Sequence, residues 1–350
     1  MAQIAAEAGL SRFTVSKILN GTAGVREKNR QKVLELCRKY GFVPNSHAVN
    51  LVSKSSRMIG MVVPYITDGF YAELIELTEK YCAENGYFLI YRSSYNDAAA
   101  EAEIIRTFMG LKPAALLIVP VVVSPDLNIH KLAAENFPVV YLDRAFPDQK
   151  SCCILNDNRD SCRRMTRHLF ENSPEVAFLD SFYGDSNMTA VDRKRGYLDA
   201  VREYGSEALI LPGNNSGQNQ DNEYHGFRSL ELYLKQHRRA PKALCCVTDA
   251  VALGAMRALR DSGFIPGKDT LIGGHDNLHF GEFTTPPLST MAQPREKIAK
   301  LAVDTALKMM SDPAAGQGIK LLRSTLIVRK SSIPAPEVKK TERSGQTAPR

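Results

Sequence analysis

Apolar residues change their spacing once along this chain, and the change divides it. Up to about residue 40 they recur every three or four positions, as on one face of a helix. Ile4, Ala5 and Ala8 form a short helical patch that ends at Gly9, a residue suited to a left-handed helix terminus. Ser11 is placed to cap a second helix running from Arg12 to about Asn20, with Val15, Ile18 and Leu19 turned toward the first patch. Asn20-Gly21 stops it. A third amphipathic helix is predicted from about Arg26 to Tyr40, with Val33, Leu34, Cys37 and Tyr40 inward. Two short helices joined by a tight glycine turn, with a third in support, describe a helix-turn-helix domain.

Pro44-Asn45-Ser46 starts another helical stretch, HAVNLVS, too short to be stable alone. Lys54 to Arg57 reads as a linker. From Met58 the pattern becomes one of apolar runs alternating with amphipathic helices. The strand-like runs fall at 59–63, 87–91, 115–119, 138–142, 176–179, 208–211, 243–247 and 270–274. Helices are predicted near 70–84, 98–109, 190–203, 222–236 and 249–261. This alternation argues for parallel sheet covered by helices on both faces. Roughly ten strands exceed one comfortable sheet, so two α/β lobes are expected. Ligands of such folds bind at the carboxyl ends of strands, here in the cleft between lobes. From Ser331 the chain is polar and contains proline, and it reads as a disordered tail through Arg350.

Charge sharpens the division. Residues 1–57 hold ten Lys/Arg against three acids, so the whole net charge of +7 sits there, and the remainder balances. A small basic module on a neutral body is the footprint of a polyanion binder. Seven cysteines, none in C-x-x-C spacing, read as buried reduced thiols rather than metal or redox groups. No apolar run of about 18 residues is present, and the start lacks a basic segment followed by an apolar core, so neither membrane span nor signal peptide is predicted. A cytoplasmic location is the expectation. No nucleophile elbow, H-E-x-x-H, P-loop or G-x-G-x-x-G after a strand supports an enzyme, although His275-Asp276 has the composition of an acid–base dyad.

Several motifs in this order resemble one family. AGLSRFTVSKILNG (8–21) is close to AGVSxxTVSRVLNG, and YGFVPNSHAVNLVS (40–53) to LGYxPNxxARxLxS. Further on come IGMVVPYITDGFYAEL, VVYLDR, RKRGYLDA, TDAVALGAMRALRDSGFIPGKD, GGHDN and TTPPLSTMAQPREKIAKLAVD. The sequence resembles LacI/GalR-type bacterial regulators from residue 3 to about 332. The fold this implies is an N-terminal all-α helix-turn-helix domain plus an α/β two-lobed core resembling a type I periplasmic-binding-protein fold. Its divisions would be 1–43 for the DNA-binding domain, 44–57 for a hinge helix and linker, and 58–330 for the core. Within the core, one lobe would hold about 58–157 and 292–318, the other about 158–291 and 319–330.

The resemblance also implies roles. The N-terminal part of the second helix would enter the major groove, with Arg12 and Phe13 at base edges and Lys17 one turn on. Ser11, Thr14, Ser16 and Asn20 would serve phosphates or sugars. Asn45, Ala48 and Leu51 belong to the hinge, Leu51 matching a leucine wedge into the minor groove. Val49 stands where relatives usually have Arg. In the cleft, Arg193 of Arg193-Lys194-Arg195-Gly196 and Asp276 match effector-binding positions, joined by Phe70, Tyr71, Tyr65, Asp143, Arg144, Asp249 and Gln293. Asp249 also suits a helix cap. Near residue 221, where relatives often carry an aromatic ring, the chain has Asp221-Asn222, with Tyr224 close by. The expected partners are pseudo-palindromic double-stranded operator DNA, a small carbohydrate-like or nucleoside-like effector and a second copy of the chain, with a tetramer left open. No cofactor, metal or catalytic group is expected.

Overall fold

The structure, a computed structural model, describes residues 1–19, 24–42, 56–121, 126–146, 151–182, 184, 187–211 and 222–334. Three helices come first: α1 (Ala2–Ala8), α2 (Arg12–Leu19) and α3 (Glu27–Lys39). Their shared core is Ile4, Ala5, Ala8, Val15, Ile18, Val33, Leu36 and Cys37. Gly9 takes φ 70°, a left-handed turn that suits glycine, and lets Leu10 N–H reach the Ala5 carbonyl at 3.0 Å. Tyr40, expected inside, is exposed, because its hydroxyl bonds the Glu7 carboxylate beside Lys39; Leu36 fills the inward position instead. Arg26 starts α3 without a side-chain cap.

Two sheets follow. The first contains β1 (Met58–Val63), β2 (Phe88–Ser93), β3 (Ala115–Ile118), β4 (Val139–Leu142), β5 (Cys152–Asn156) and β11 (Gly318–Leu322). Its order is β11-β5-β4-β3-β1-β2, parallel throughout. The second contains β6 (Ala177–Leu179), β7 (Leu209–Leu211), β8 (Ala243–Cys246), β9 (Leu271–Asp276), β10 (Ser289–Ala292) and β12 (Thr325–Ile327). Its order is β12-β10-β9-β8-β6-β7, with only β12 antiparallel. Helices α4 (Gly69–Glu84), α5 (Ala98–Leu111), α6 (Leu127–Asn136) and α11 (Arg295–Met309) belong to the first lobe. Helices α7 (Asn158–Phe170), α8 (Met188–Glu203), α9 (Asn222–His237) and α10 (Asp249–Asp261) belong to the second.

The chain passes between lobes after β5, β10 and β11. The last passage differs from the expected 318–319: β11 pairs with β5 as far as Leu322, so the crossing lies between Leu322 and Thr325. The first residues of the expected tail are part of the fold, and residues 335–350 lie outside the described residues. Ser331 and Ser332 are fully buried; Ser331 Oγ donates to the Ile272 carbonyl at 2.6 Å and accepts from Ser289 N–H at 2.8 Å. These bonds clamp β9 and β10 together. All seven cysteines are buried free thiols. Among the described residues no helix is long and apolar enough to cross a membrane, and none forms a metal-holding cluster.

Candidate functional site

Two surfaces carry the chemistry. On α2, Ser11 Oγ accepts Thr14 N–H at 3.1 Å and lies 2.9 Å from Thr14 Oγ1, so Ser11 caps the helix. Val15 and Ile18 are buried, which turns the opposite face outward. That face presents Arg12, Phe13 and Lys17, all exposed, with Phe13 at 69 % and Lys17 Nζ 4.8 Å above its ring. The contact is a cation–π pair at the helix surface. Thr14 and Ser16 are half-buried at its edge. Asn20, Asn45, Ala48 and Leu51, with the whole expected hinge helix, lie outside the described residues.

The second surface lies at the carboxyl ends of both sheets. Arg193 of α8 is 5 % exposed. It donates from Nε to Asn158 Oδ1 at 2.9 Å, from Nη1 to the Val247 carbonyl at 2.8 Å and from Nη2 to Asp276 Oδ1 at 3.3 Å. Asp276, the last residue of β9, also accepts from Gln293 Nε2 at 2.7 Å and from His275 Nδ1 at 3.0 Å. Burial opposes its charge, but Arg193, His275 and Gln293 together outweigh burial and hold the carboxyl below the usual range. On the first lobe, Tyr71 Oη donates to Asp143 Oδ2 at 2.8 Å, and Arg144 donates to Tyr71 Oη at 3.2 Å and to the Pro120 carbonyl at 2.6 Å. Phe70 packs edge-on against Tyr71, with ring centroids 5.2 Å apart. Tyr65 donates its hydroxyl to the Tyr95 carbonyl at 3.1 Å.

Ser161, His275 and Asp276 line up like a hydrolytic triad, with Ser161 Oγ 2.8 Å from His275 Nε2. Two facts remove that reading. Ser161 is 1 % exposed and admits no substrate. Burial and the adjacent Arg193 charge push His275 down to about 4, far too low for a general base near neutrality. The neutral imidazole instead donates from Nδ1 and orients Asp276.

Comparison with known proteins agrees with this two-surface arrangement. The profile for bacterial regulatory proteins of the lacI family matches residues 1–45, and that for a periplasmic binding protein-like domain matches 176–332. The ribose operon repressor of Haemophilus influenzae is 27 % identical over 334 residues, 95 % of this chain and 98 % of that protein. The transcriptional regulator GalR of Escherichia coli is 27 % identical over 340 residues, 96 % of each. The chain belongs to the LacI family. It is a DNA-binding transcription regulator, not an enzyme. The fold matches the lac repressor dimer bound to operator and the anti-inducer ONPF with a TM-score of 0.83, at 24 % identity over 94 % of this chain and 98 % of that one.

In this LacI-family regulator the residues expected in the cleft fall into two hydrogen-bonded groups, one on each lobe, while Phe70 packs in the first lobe's core. Phe70, Tyr71, Asp143 and Arg144 stand on the first lobe, Arg193 and Asp276 on the second, and Gln293 at the crossing. Asp249 behaves differently. Thr248 caps α10, accepting Val251 N–H at 3.2 Å, and Asp249 is fully buried. Its oxygens accept from Thr290 Oγ1 at 2.6 Å and Leu278 N–H at 2.8 Å, binding α10 to the ends of β9 and β10. Only a glycine at 274 leaves it room, since a Cβ there would sit 2.2 Å from Asp249 Oδ1. Tyr224 is exposed on α9, and Asp221 is outside the described residues.

Sequence reasoning missed Asn158, Ser161, His275 as an orienting group, Arg295 and Asp68. The first two sit on α7, whose polar composition hid the helix. Asp68 caps α4 by accepting Phe70 N–H at 2.9 Å; burial and the nearby Asp276 and Asp143 raise it to about 6. Its place after β1, at a strand's carboxyl end, was the available signal.

Proposed function

We propose that this regulator is a homodimeric repressor of a pseudo-palindromic operator, controlled by a small carbohydrate-like or nucleoside-like effector held between its lobes. The observation that carries this reading is the Arg193–Asp276 pair of the second lobe and the Tyr71, Asp143 and Arg144 cluster of the first, with Asp68 close enough to feel both Asp276 and Asp143. A carboxylate fixed by a guanidinium is suited to vicinal hydroxyls, which donate two hydrogen bonds to it. A relative named as a ribose operon repressor supports the carbohydrate class. Residues 1–43 would bind DNA, with Arg12, Phe13 and Lys17 at base edges and Ser11, Thr14, Ser16 and Asn20 nearer phosphates. Residues 44–57 would form the hinge, with Asn45, Ala48 and Leu51 at the operator centre. Residues 58–330 would form the core, passing back between lobes after Leu322. The protein would act in the cytoplasm, at the nucleoid.

Effector binding would shift the angle between lobes and so bias whether two hinge segments pair on DNA. It does this only through unequal affinity for the two states. Selection from a random double-stranded DNA pool at two salt concentrations tests the reading. A pseudo-palindrome whose enrichment falls steeply with salt is expected. Failure to enrich any site, with or without a mixture of sugars and nucleosides, would sink it.

A further inference from the structure

Donors and acceptors in the cleft do not balance. Each nitrogen of Arg193 already faces a protein acceptor: Asn158 Oδ1, the Val247 carbonyl or Asp276 Oδ1. The Nη atoms of Arg144 serve Asn96, Pro120 and Tyr71, its Nε alone lacking a hydrogen-bond partner, and those of Arg295 serve the main chain of Asp276 and Asn277 together with Glu73. The acceptors, by contrast, are in surplus. Asp276 takes all three of its donors on Oδ1, so Oδ2 receives none among the described residues. Gln293 is 6 % exposed and its Oε1 has no partner, although its Nε2 is bound to Asp276. Flipping that amide would set oxygen against carboxylate, so the unsatisfied acceptor is a property of the site. Asp68 is spent only on capping α4, and no Lys or Arg among the described residues pairs with it. Of the three, Gln293 Oε1 is buried without a partner, which is costly, and a bound molecule that supplies hydrogens relieves that cost.

We propose that the effector is a monosaccharide-sized polyol carrying a protonated amine, whose ammonium answers Asp68, Asp276 Oδ2 and Gln293 Oε1. An ammonium offers three donors and no acceptor, which matches three acceptors short of donors. A phosphate or carboxylate would meet the same three acceptors and find a single unbonded arginine donor, Arg144 Nε, which already lies 3.8 Å from Asp143 Oδ2. Neutral hydroxyls would satisfy hydrogen bonds but leave Asp68 without a counter-charge. The inference rests on the effector-controlled reading above and narrows it to a charge class.

Isothermal titration of the full chain tests it at about pH 6.5, where an amine with the pKa of an α-amino group is protonated. The probes are glucosamine, galactosamine and mannosamine, the parent hexoses, the N-acetyl derivatives, the hexose 6-phosphates, ribose and adenosine. At least one hexosamine is expected to bind about tenfold or more tighter than its hexose and its N-acetyl derivative, the size of one charge-assisted bond. Asp68→Asn caps a helix equally well and should bring that ratio to within about threefold. Gln293→Met removes the second acceptor and should lower hexosamine affinity in a background that keeps Asp68. Equal or tighter binding of a hexose, an N-acetyl derivative, ribose, adenosine or a 6-phosphate overturns the amine inference and leaves an effector-controlled regulator standing. Binding by none of the probes overturns the amine inference and the carbohydrate or nucleoside reading together.

Discussion

The Arg295 guanidinium lies 2.8 Å from Glu73 Oε2. Glu73 belongs to α4 and Arg295 opens α11, both in the first lobe. The same guanidinium donates to the main-chain oxygens of Asp276 and Asn277 at the end of β9, in the second lobe. Leu278, the next residue, packs into the first lobe's core near Gly69. Arg295 therefore ties the carboxyl end of β9 to the far lobe, and any rotation between lobes must stretch one of its bonds. Arg295→Gln is expected to reduce the factor by which effector changes operator affinity, a factor of about 5 to 150 in typical coupled systems. Operator titrations with and without saturating effector measure it. An unchanged coupling factor would show that Arg295 is only a surface strut.

The proposed DNA-binding face of α2 would make two kinds of contact. Arg12 at a base edge predicts that Arg12→Ala costs about 1–3 kcal/mol of operator binding and relaxes preference at one base pair per half-site. Lys17 leans over the Phe13 ring at 4.8 Å, and a flexible ammonium specifies less than a guanidinium fork. Lys17→Ala should weaken binding across sequences and flatten the salt dependence. Footprint selection with each variant tells the two patterns apart. The prediction fails if Lys17→Ala changes the selected sequence while Arg12→Ala does not.

Arg193 holds a buried carboxylate, and removing only one partner is the costly change. Arg193→Met strands Asp276 and leaves Asn158 Oδ1 and the Val247 carbonyl short of a donor, so a loss of about 3–5 kcal/mol is expected, with effector binding abolished. Adding Asp276→Leu removes the stranded charge and should recover part of that stability without restoring binding. Urea unfolding of the single and double variants reads the difference. If the double variant is less stable than the single by the full sum, the pair is not the unit described.

The helix-turn-helix was legible because its signals are local, whereas the candidate cleft residues were named only through the resemblance to a family. Gly9, the Ser11 cap and the Val15–Ile18 stripe act within a few residues. Strands such as ALCC and the first six-residue strand are apolar runs that announce burial. β10 was not legible: Ser289 and Thr290 are fully buried, yet their hydroxyls look like surface until Arg329 O and Asp249 Oδ1 are seen to accept them. β11 and β12 are short edge strands with exposed Ile319 and Leu321, too irregular for a period-two pattern. Asp68 reads in sequence as an ordinary helix cap. Its closeness to Asp276, more than two hundred residues later, exists only once the lobes are assembled.

Asp249 should give the protein a pH signature of its own. Burial, with Asp276 adding to it, raises its carboxyl from 3.8 to about 7. The folded state thus binds a proton at this site more tightly than the unfolded chain does. Its contribution is fully present below about pH 4 and is lost as pH rises toward about 7. His275 works in the opposite sense: burial lowers it to about 4, so its contribution is gained as pH rises from about 4 to 6.5. Asp249→Asn isolates the first effect. An asparagine amide can donate to Thr290 Oγ1 and accept Leu278 N–H, reproducing the protonated acid in the same space. The variant is expected to match the parent near pH 4 and to gain on it steadily up to pH 7, by an amount of order a few kcal/mol. Chemical unfolding at several pH values in that window measures the gain. A constant offset between the two proteins across the window would mean that Asp249 is ionised throughout and that its buried contacts stabilise the charged form.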